Sequence, residues 1–302
     1  MGSPSVTVAH HKGRRLLFIP ELGSRRASWN AVTTLTGGLS EIAQIASSVS
    51  ATLRRFDATY DRAWVENVDA TGLRAVTPDE LVEVRRPVSY VGMGRYIGTV
   101  VVPTTWADPR AVWFESFNER HHYLDLLLGG AVSQMSTQSL RLEWPTADGI
   151  RVHYPDAFLL IGTRRLLVDV TTTRRVSDER AMSTFRLTSA TARELGWEYQ
   201  LLTEMPPQRA RNLRFLRACQ SAGPAVAAAW AAVSERSGWP RQLDRLAHDL
   251  ADELGDWGTG LGAAWHLLAT AQLHTDLDNP IRPETWIDTR QEKQVQPWRI
   301  QI

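Results

Sequence analysis

The sequence is poor in three features that each mark a class of protein: cysteine, lysine and long apolar runs. Cys219 is the single cysteine among 302 residues, which excludes a disulfide framework and a cysteine zinc site and fits a reducing cytoplasm. Lys12 and Lys293 are the only lysines among 34 basic residues, so arginine has to supply nearly every basic contact to a phosphate. The net charge of +1 excludes a global basic field, and any nucleic acid must bind to local patches.

The apolar runs are too short for export or for a membrane. Residues 16–19, which follow Arg14-Arg15, are fewer than the core of a signal peptide needs. Glu41 and its Ser and Thr neighbours exclude a membrane span over residues 31–53. We therefore expect a cytoplasmic protein that has no membrane partner.

The chain divides into three regions by its pattern. Residues 1–85 form an N-terminal extension of unknown role, residues 86–207 alternate apolar runs with turns, and residues 208–302 are mainly helical. Within the first two regions, the periodicity predicts helices over 39–56, 113–128 and about 177–195, and strands over 88–91, 97–102, 138–144, 150–154, 157–161, 166–170 and 197–202. This order predicts an α/β fold with a mixed sheet flanked by helices.

Three carboxylates stand at informative places in the second region. Glu119 lies on the predicted helix, Asp156 directly follows Pro155 at the end of one predicted strand, and Asp169 lies inside an apolar strand. A buried aspartate needs a compensating charge. A metal ion is one such partner, and Mg²⁺ or Mn²⁺ suits these oxygen ligands, with the carbonyl of Val170 as a further oxygen. The structural alternative is an ion pair with one of the nearby arginines, which are Arg164, Arg165, Arg174 and Arg175. His153 lies two residues before Pro155 and could contact phosphate or simply pack.

The motifs around these carboxylates resemble a known family. Glu115-Ser116-x-x-Glu119, Gln138, Tyr154-Pro155-Asp156-Ala157-Phe158 and Val168-Asp169-Val170 resemble the TnsA-type endonuclease subunit of heteromeric transposases, and further similar stretches extend the likeness over about residues 86–287. That family belongs to the PD-(D/E)XK superfamily. The resemblance implies a restriction-endonuclease-like nuclease domain at residues 86–207 and a winged-helix-like C-terminal domain at residues 208–302.

The resemblance also implies the site. Glu119, Asp156 and Asp169 would be the metal carboxylates, and Gln138 would line the site. Thr171 stands where the family usually has a lysine, and threonine has no positive charge with which to orient water or stabilise an oxyanion. Arg174 or Arg175 could supply that charge but not act as a proton acceptor, and a second metal ion could also take over the task. Glu115, one turn before Glu119, is expected to face solvent or to support the metal ligands.

The resemblance finally implies partners: double-stranded DNA, a DDE-type transposase subunit and an AAA+ ATPase regulator. Phosphate contacts would come from four arginines of one short helical stretch, which are Arg209, Arg211, Arg214 and Arg217. The structural alternative for these four arginines is a solvent-exposed helix face. Two other functions remain open: a non-cleaving DNA-binding assembly subunit that has lost the lysine, and a restriction-type defence nuclease of the same fold.

Overall fold

The computed structural model describes residues 7–11, 14–18, 39–57, 59, 61–85, 96–105, 109–147, 149–221, 223–236, 238–290, 298–300 and 302. These residues form two compact units. Unit 1 comprises Met1–Arg120, Val132–Glu204 and Trp298–Ile302, and unit 2 comprises His121–Ala131 and Met205–Pro297, as far as these ranges are described. Every helix within the described ranges is too short or too polar to traverse a bilayer.

Unit 1 mixes strands and helices, so the predicted α/β class is confirmed. In chain order, its elements are β1 (Thr7–His11), β2 (Arg14–Phe18), α1 (Leu39–Ser47), β3 (Ser50–Asp57), β4 (Arg62–Asp69), α2 (Ala70–Leu73), β5 (Gly98–Val102), β6 (Arg110–Phe114), α3 (Phe117–Leu127, which continues into unit 2), β7 (Val132–Thr137), β8 (Leu140–Thr146), β9 (Gly149–His153), β10 (Ala157–Ile161), β11 (Arg164–Val170), α4 (Thr173–Val176), α5 (Glu179–Glu194) and β12 (Glu198–Leu202).

Unit 2 is mainly helical, as the C-terminal composition predicts. Its elements are α6 (Pro207–Ala218), α7 (Pro224–Arg236), β13 (Arg241–Gln242), α8 (Leu243–Leu254), α9 (Trp257–Ala269) and β14 (Trp286–Ile287). The two short strands β13 and β14 pair antiparallel. Strand β15 (Arg299–Ile300) returns to unit 1.

Two sheets organise unit 1. The first is mixed and has the order β15-β12-β11-β10-β7, in which only β11 and β12 pair parallel. The second is antiparallel and has the order β4-β3-β8-β9. The parallel pair needs a crossover, and α5 provides it. Asp178 caps the first turn of α5 by accepting hydrogen bonds from the N–H groups of Arg180 and Ala181.

The main core of unit 1 lies between α1, α5 and strands of both sheets. Trp144, Leu53, Phe158 and Leu167 are all buried in it. The Trp144 indole N–H donates to the Thr191 hydroxyl at 2.9 Å, so its polar atom is satisfied inside the core. Each of these side chains contributes about 1.5–3 kcal/mol by leaving water. This core holds β10 and β11, on which the predicted site depends.

The predicted boundary near residue 85 lies inside unit 1. Strand β3 pairs with β8 from Ser50 opposite Glu143 to Leu53 opposite Leu140, so the end of the predicted extension completes the second sheet. The predicted boundary near residue 207 is close to the passage from Glu204 to Met205, where unit 2 resumes. The predicted strand over residues 88–91 lies outside the described residues.

Three predicted elements are present but have different bounds. The helix predicted over 39–56 ends at Ser47, and β3 follows it. The helix predicted over 113–128 begins at Phe117, because Trp113 belongs to β6 and its spacing to Phe117 imitates a helical face. Gln138 does not open a strand: it lies in the turn between β7 and β8, with a φ of 50°.

Candidate active site

Asp156 is held where β10 begins, and Gln138 is one of its side-chain partners. The Gln138 amide N–H donates to Asp156 Oδ1 at 2.9 Å, and the Val170 backbone N–H donates to Oδ2 at 2.7 Å. The Gln138 backbone N–H also donates to the Asp156 carbonyl at 3.2 Å. The left-handed conformation of Gln138 turns this residue back onto the start of β10. Asp156 is thus fixed between the β7–β8 turn and the end of β11.

Asp169 is buried inside β11, with 2% of its surface exposed, and two polar side chains contact it. The Tyr199 hydroxyl donates to Asp169 Oδ2 at 2.7 Å. The His153 Nε2 atom lies 3.0 Å from Oδ1 and 2.8 Å from Oδ2. This aspartate in an apolar strand therefore has a histidine of β9 and a tyrosine of β12 as its polar contacts. A cation bound to Asp169 would share its oxygens with these two partners.

The two arginines of β11, which the sequence offered as ion-pair partners of Asp169, bind other groups. Arg164 pairs with Glu198 at 2.9 Å, and Arg165 donates to the Val76 carbonyl at 2.9 Å. Arg174 and Arg175 are exposed on α4. His153, which the sequence left between phosphate contact and packing, bonds to Asp169.

Glu119 is buried near the start of α3, where it caps its own helix. The Ser116 hydroxyl donates to Glu119 Oε1 at 2.8 Å, and the Glu115 backbone N–H donates to Oε2 at 2.8 Å. In return, the Glu119 N–H donates to the Ser116 hydroxyl at 3.1 Å. Ser116 thus caps the first turn of α3 through its hydroxyl, and the Ser116-x-x-Glu119 spacing is a helix-start signal that is visible in the sequence.

The surroundings of Asp156 and Glu119 disfavour the charged forms of these carboxylates. Burial raises the pKa of Asp156 well above its usual value of 3.8, and the charges of Glu119 and Asp169 raise it further, against the opposing effects of the Val170 N–H and Arg85. Burial likewise raises the pKa of Glu119, while its bonds to Glu115 and Ser116 act in the opposite direction. These carboxylates are therefore close enough to repel one another in a poorly solvated place. A bound cation would relieve that repulsion.

Two buried oxygens in the same region lack a hydrogen bond. Gln138 Oε1 and Thr171 Oγ1 make none with any described residue. Gln138 is 3% exposed and Thr171 is 5% exposed, so water does not readily replace the missing partner. An unsatisfied amide oxygen beside a desolvated carboxylate is a donor set that suits a hard divalent cation.

The predicted three-carboxylate cluster is not assembled in the arrangement described. Among the described residues, no three His, Cys, Asp or Glu side chains stand close enough together to share one metal ion. Mg²⁺ usually takes only one or two protein carboxylates and completes its shell with waters and substrate phosphates. Asp156, Glu119 and Gln138 Oε1 therefore fit such an ion by their chemistry. Val170 contributes its N–H to Asp156, which is the opposite polarity from the predicted carbonyl ligand.

Sequence reasoning missed Arg85 and left the role of Glu115 open. The Arg85 guanidinium lies 2.5 Å from Glu115 Oε1, and its central carbon is 5.6 Å from the centre of the Tyr154 ring. Glu115 is 9% exposed, so of its two expected roles the solvent-facing one is wrong, and the support of the metal ligands stays a prediction. Arg85 stood at the end of the supposed extension, and no local pattern connects it with Glu115 thirty residues later.

The arginines predicted to contact DNA separate into two kinds. Arg174, Arg175, Arg211 and Arg214 are exposed. Arg209 is 6% exposed and pairs with Asp125 at 2.8 Å and Asp278 at 3.3 Å, all within unit 2. The DNA-binding prediction for Arg209 is corrected, because a phosphate would have to displace two carboxylates. Burial lowers the pKa of Arg217, which bonds to Gln220.

The chain was compared with protein-family models and with curated proteins, and neither comparison gave a match.

The hydrogen bond from Tyr199 to Asp169 is a measurable stabilising contact. Burial, together with the charge of Asp169, raises the pKa of the Tyr199 hydroxyl well above 10.0, so it remains a donor at neutral pH. We expect Tyr199→Phe to lower the free energy of unfolding by about 1.5–3 kcal/mol, because the bond is to a charged group. Chemical denaturation measures the loss. Tyr96→Phe is the control, since Tyr96 is 54% exposed, and a loss as large in the control would contradict the assignment.

Proposed function

We propose that this chain is a metal-dependent DNA endonuclease subunit of the TnsA-like kind, which hydrolyses phosphodiesters at transposon ends. The observation that carries the proposal is the pairing of Asp156 with Gln138. A desolvated carboxylate, raised in pKa by the neighbouring charges of Glu119 and Asp169, lies beside a buried amide oxygen without a hydrogen bond among the described residues. Such unrelieved polarity at a strand end is typical of a functional site rather than of a structural one.

Mg²⁺ or Mn²⁺, when bound, would supply Lewis-acid stabilisation of the phosphodiester and would lower the pKa of the attacking water. Asp156, Glu119 and the Gln138 oxygen would hold that ion. The Val170 N–H fixes the Asp156 carboxylate in its orientation, and the Ser116 hydroxyl fixes Glu119. Asp169 orients the His153 imidazole through its two short contacts. The chain thus offers positioned ligands, and Thr171 adds a hydroxyl but no charge.

The proposed setting is a heteromeric transposase. The chain would nick the non-transferred strands beside a DDE-type transposase, under an AAA+ ATPase regulator. Unit 2, with its helices and its short β13–β14 pair, would be the winged-helix-like module that binds DNA or the regulator. Exposed Arg211 and Arg214 on α6 are its candidate phosphate contacts.

A non-cleaving assembly subunit is the second candidate, and one observation favours it. Glu119 is engaged in capping α3, and Thr171 leaves the usual lysine position without charge. A scaffold that keeps the fold and loses the chemistry would retain this arrangement.

A nicking assay separates the two candidates. Supercoiled DNA that carries the cognate ends is incubated with Mg²⁺ or Mn²⁺, the transposase, the regulator and this chain. We expect the wild type to nick and Asp156→Asn to lose on the order of 10²–10³-fold in rate, as for other preorganised charge-stabilising groups. Glu179→Gln, an exposed carboxylate paired with Arg186, should nick like the wild type. Equal inertness of wild type and Asp156→Asn in the complete mixture would exclude the enzymatic function and leave the assembly subunit.

A further inference from the structure

Arg85 lies beside the carboxylates of the site although the sequence separates it from them. Its guanidinium bonds to Glu115 Oε1 at 2.5 Å, and the backbone N–H of Glu115 in turn donates to Glu119 Oε2 at 2.8 Å. On its other side, the Arg85 central carbon lies 5.6 Å from the centre of the Tyr154 ring, two residues before Asp156. Arg85 therefore stands between the segment that carries Glu119 and the segment that carries Asp156.

The backbone around Arg85 is fixed to the same place. The Val84 N–H donates to the Gln138 carbonyl at 2.9 Å, so the residue before Arg85 is tied to the residue that holds Asp156. The Val82 N–H donates to the Arg54 carbonyl at 2.9 Å. Two backbone hydrogen bonds thus position this segment against the second sheet and the β7–β8 turn. The backbone of the fold therefore sets the location of Arg85.

The charge of Arg85 reaches the predicted metal ligands, and its side chain remains accessible. Arg85 lowers the pKa of both Glu119 and Asp156, against the larger effect of burial. Its side chain is 44% exposed, whereas the side chain of its partner Glu115 is 10% exposed. A guanidinium has five N–H donors in a planar fork, and the bond to Glu115 leaves the exposed side of this fork open to an anionic ligand.

We propose that Arg85 binds the phosphate group that is cleaved and supplies the positive charge that Thr171 lacks. This inference rests on the proposed function. A planar fork matches two phosphate oxygens, and arginine keeps its charge at every physiological pH. For the same reason Arg85 takes no proton from the attacking water. Arg85 stabilises the negative charge that develops on the phosphate oxygens. Asp156 and Glu119 remain available to a cation.

The simpler alternative is that Arg85 only neutralises Glu115. Loss of the ion pair with the buried Glu115 would lower thermal stability in either role, so thermal stability alone does not decide between them. The two roles differ in what they do to a bound anion, because only a phosphate contact affects the chemical step. The affinity for Mn²⁺ tests the premise that both roles share, which is that the charge of Arg85 reaches Glu119 and Asp156.

Arg85→Gln is the test variant, and Arg164→Gln is its matched control. Arg164 is also an exposed arginine of unit 1 that pairs with one glutamate, Glu198, at 2.9 Å. In the complete mixture with saturating DNA, we expect Arg85→Gln to lower the single-turnover nicking rate on the order of 10²-fold. Its affinity for DNA should change much less, and Arg85→Lys should recover part of the rate because it restores the charge without the fork. Arg164→Gln should behave like the wild type.

Calorimetric titration with Mn²⁺ in the absence of DNA gives the second readout. Removing a positive charge near Glu119 and Asp156 should tighten Mn²⁺ binding several-fold in Arg85→Gln and leave it unchanged in Arg164→Gln. An active wild type with Arg85→Gln equally active, or with unchanged Mn²⁺ affinity in this variant, would overturn the role of Arg85 and leave the proposed function standing. A wild type as inert as Asp156→Asn would overturn both.

Discussion

Asp156→Asn is expected to lower the nicking rate on the order of 10²–10³-fold and, in the absence of metal, to make the protein more stable than the wild type. Asparagine removes a charge that the fold desolvates beside Glu119 and Asp169. The new amide can still accept the Val170 N–H through its oxygen. Its N–H can then donate to Gln138 Oε1, which has no hydrogen bond among the described residues, once the Gln138 amide rotates by half a turn. A gain of about 1 kcal/mol, or a rise of roughly 2–4 °C in Tm, is the expected size.

The sign of the pH dependence follows from the direction of the shift. The pKa of Asp156 in the folded protein lies well above 3.8, so the folded state holds its proton to higher pH than the unfolded chain does. Below pH 3.8, Asp156 is protonated in both the folded and the unfolded wild type. Wild type and Asp156→Asn should then be equally stable. As the pH rises through the raised pKa, the wild type loses stability relative to the variant. Thermal unfolding scans across this range measure the gap.

Two outcomes would contradict this account of Asp156. A variant less stable than the wild type at neutral pH would mean that the charged carboxylate is a net stabilising group. A difference in stability between Asp156→Asn and the wild type that narrows as the pH rises would have the opposite pH dependence from the one predicted. Glu179→Gln, on the exposed start of α5, controls for loss of a charge alone and should stay within about 0.5 kcal/mol of the wild type.

Arg209→Ala is expected to destabilise unit 2 by about 3–5 kcal/mol, because it leaves a buried ion-pair network without its cation. Arg209 Nη2 and Nε both donate to Asp125, and Nη1 donates to Asp278. Neither carboxylate can regain full hydration if the fold persists. Urea unfolding followed by circular dichroism measures the loss in the full chain.

Arg211→Ala is the matched control for Arg209, since it lies two residues away on α6. Arg211 is exposed and bonds to Gln208 on its own helix, so its removal should change stability by less than about 0.5 kcal/mol. In DNA binding the expected order is reversed. Arg211→Ala should bind DNA more weakly than the wild type, and Arg209→Ala should not. An Arg209→Ala variant that is stable but binds DNA weakly would restore the sequence-based prediction.

The parts of the fold that the sequence predicted are those with strong local patterns. The hairpin of β10 and β11 is visible as two apolar runs around Gly162, whose φ of 59° suits the turn. Strand β7 was missed because its buried residues include Ser136 and Thr137, so no apolar alternation marks it. The error at Trp113 arose because a strand, a two-residue turn and a helix happened to repeat apolar residues at helical spacing.

The candidate site was predictable in its carboxylates but not in their partners. Asp156 and Asp169 were found because acidic residues at strand ends and inside apolar strands are unusual. Their partners come from other strands and turns: Gln138 from a turn, His153 from the second sheet, and Tyr199 from β12. Such pairings depend on tertiary packing, which no local spacing encodes. Arg85 was missed for the same reason.

The most direct test of the central claim is the structure of a crystal soaked in Mn²⁺, examined by anomalous scattering. The account predicts one anomalous peak bound to Asp156 and Glu119, with Gln138 Oε1 within about 2.0–2.5 Å of it, and no peak in Asp156→Asn. A site without any peak at saturating Mn²⁺, with Gln138 and Glu119 unmoved, would contradict it.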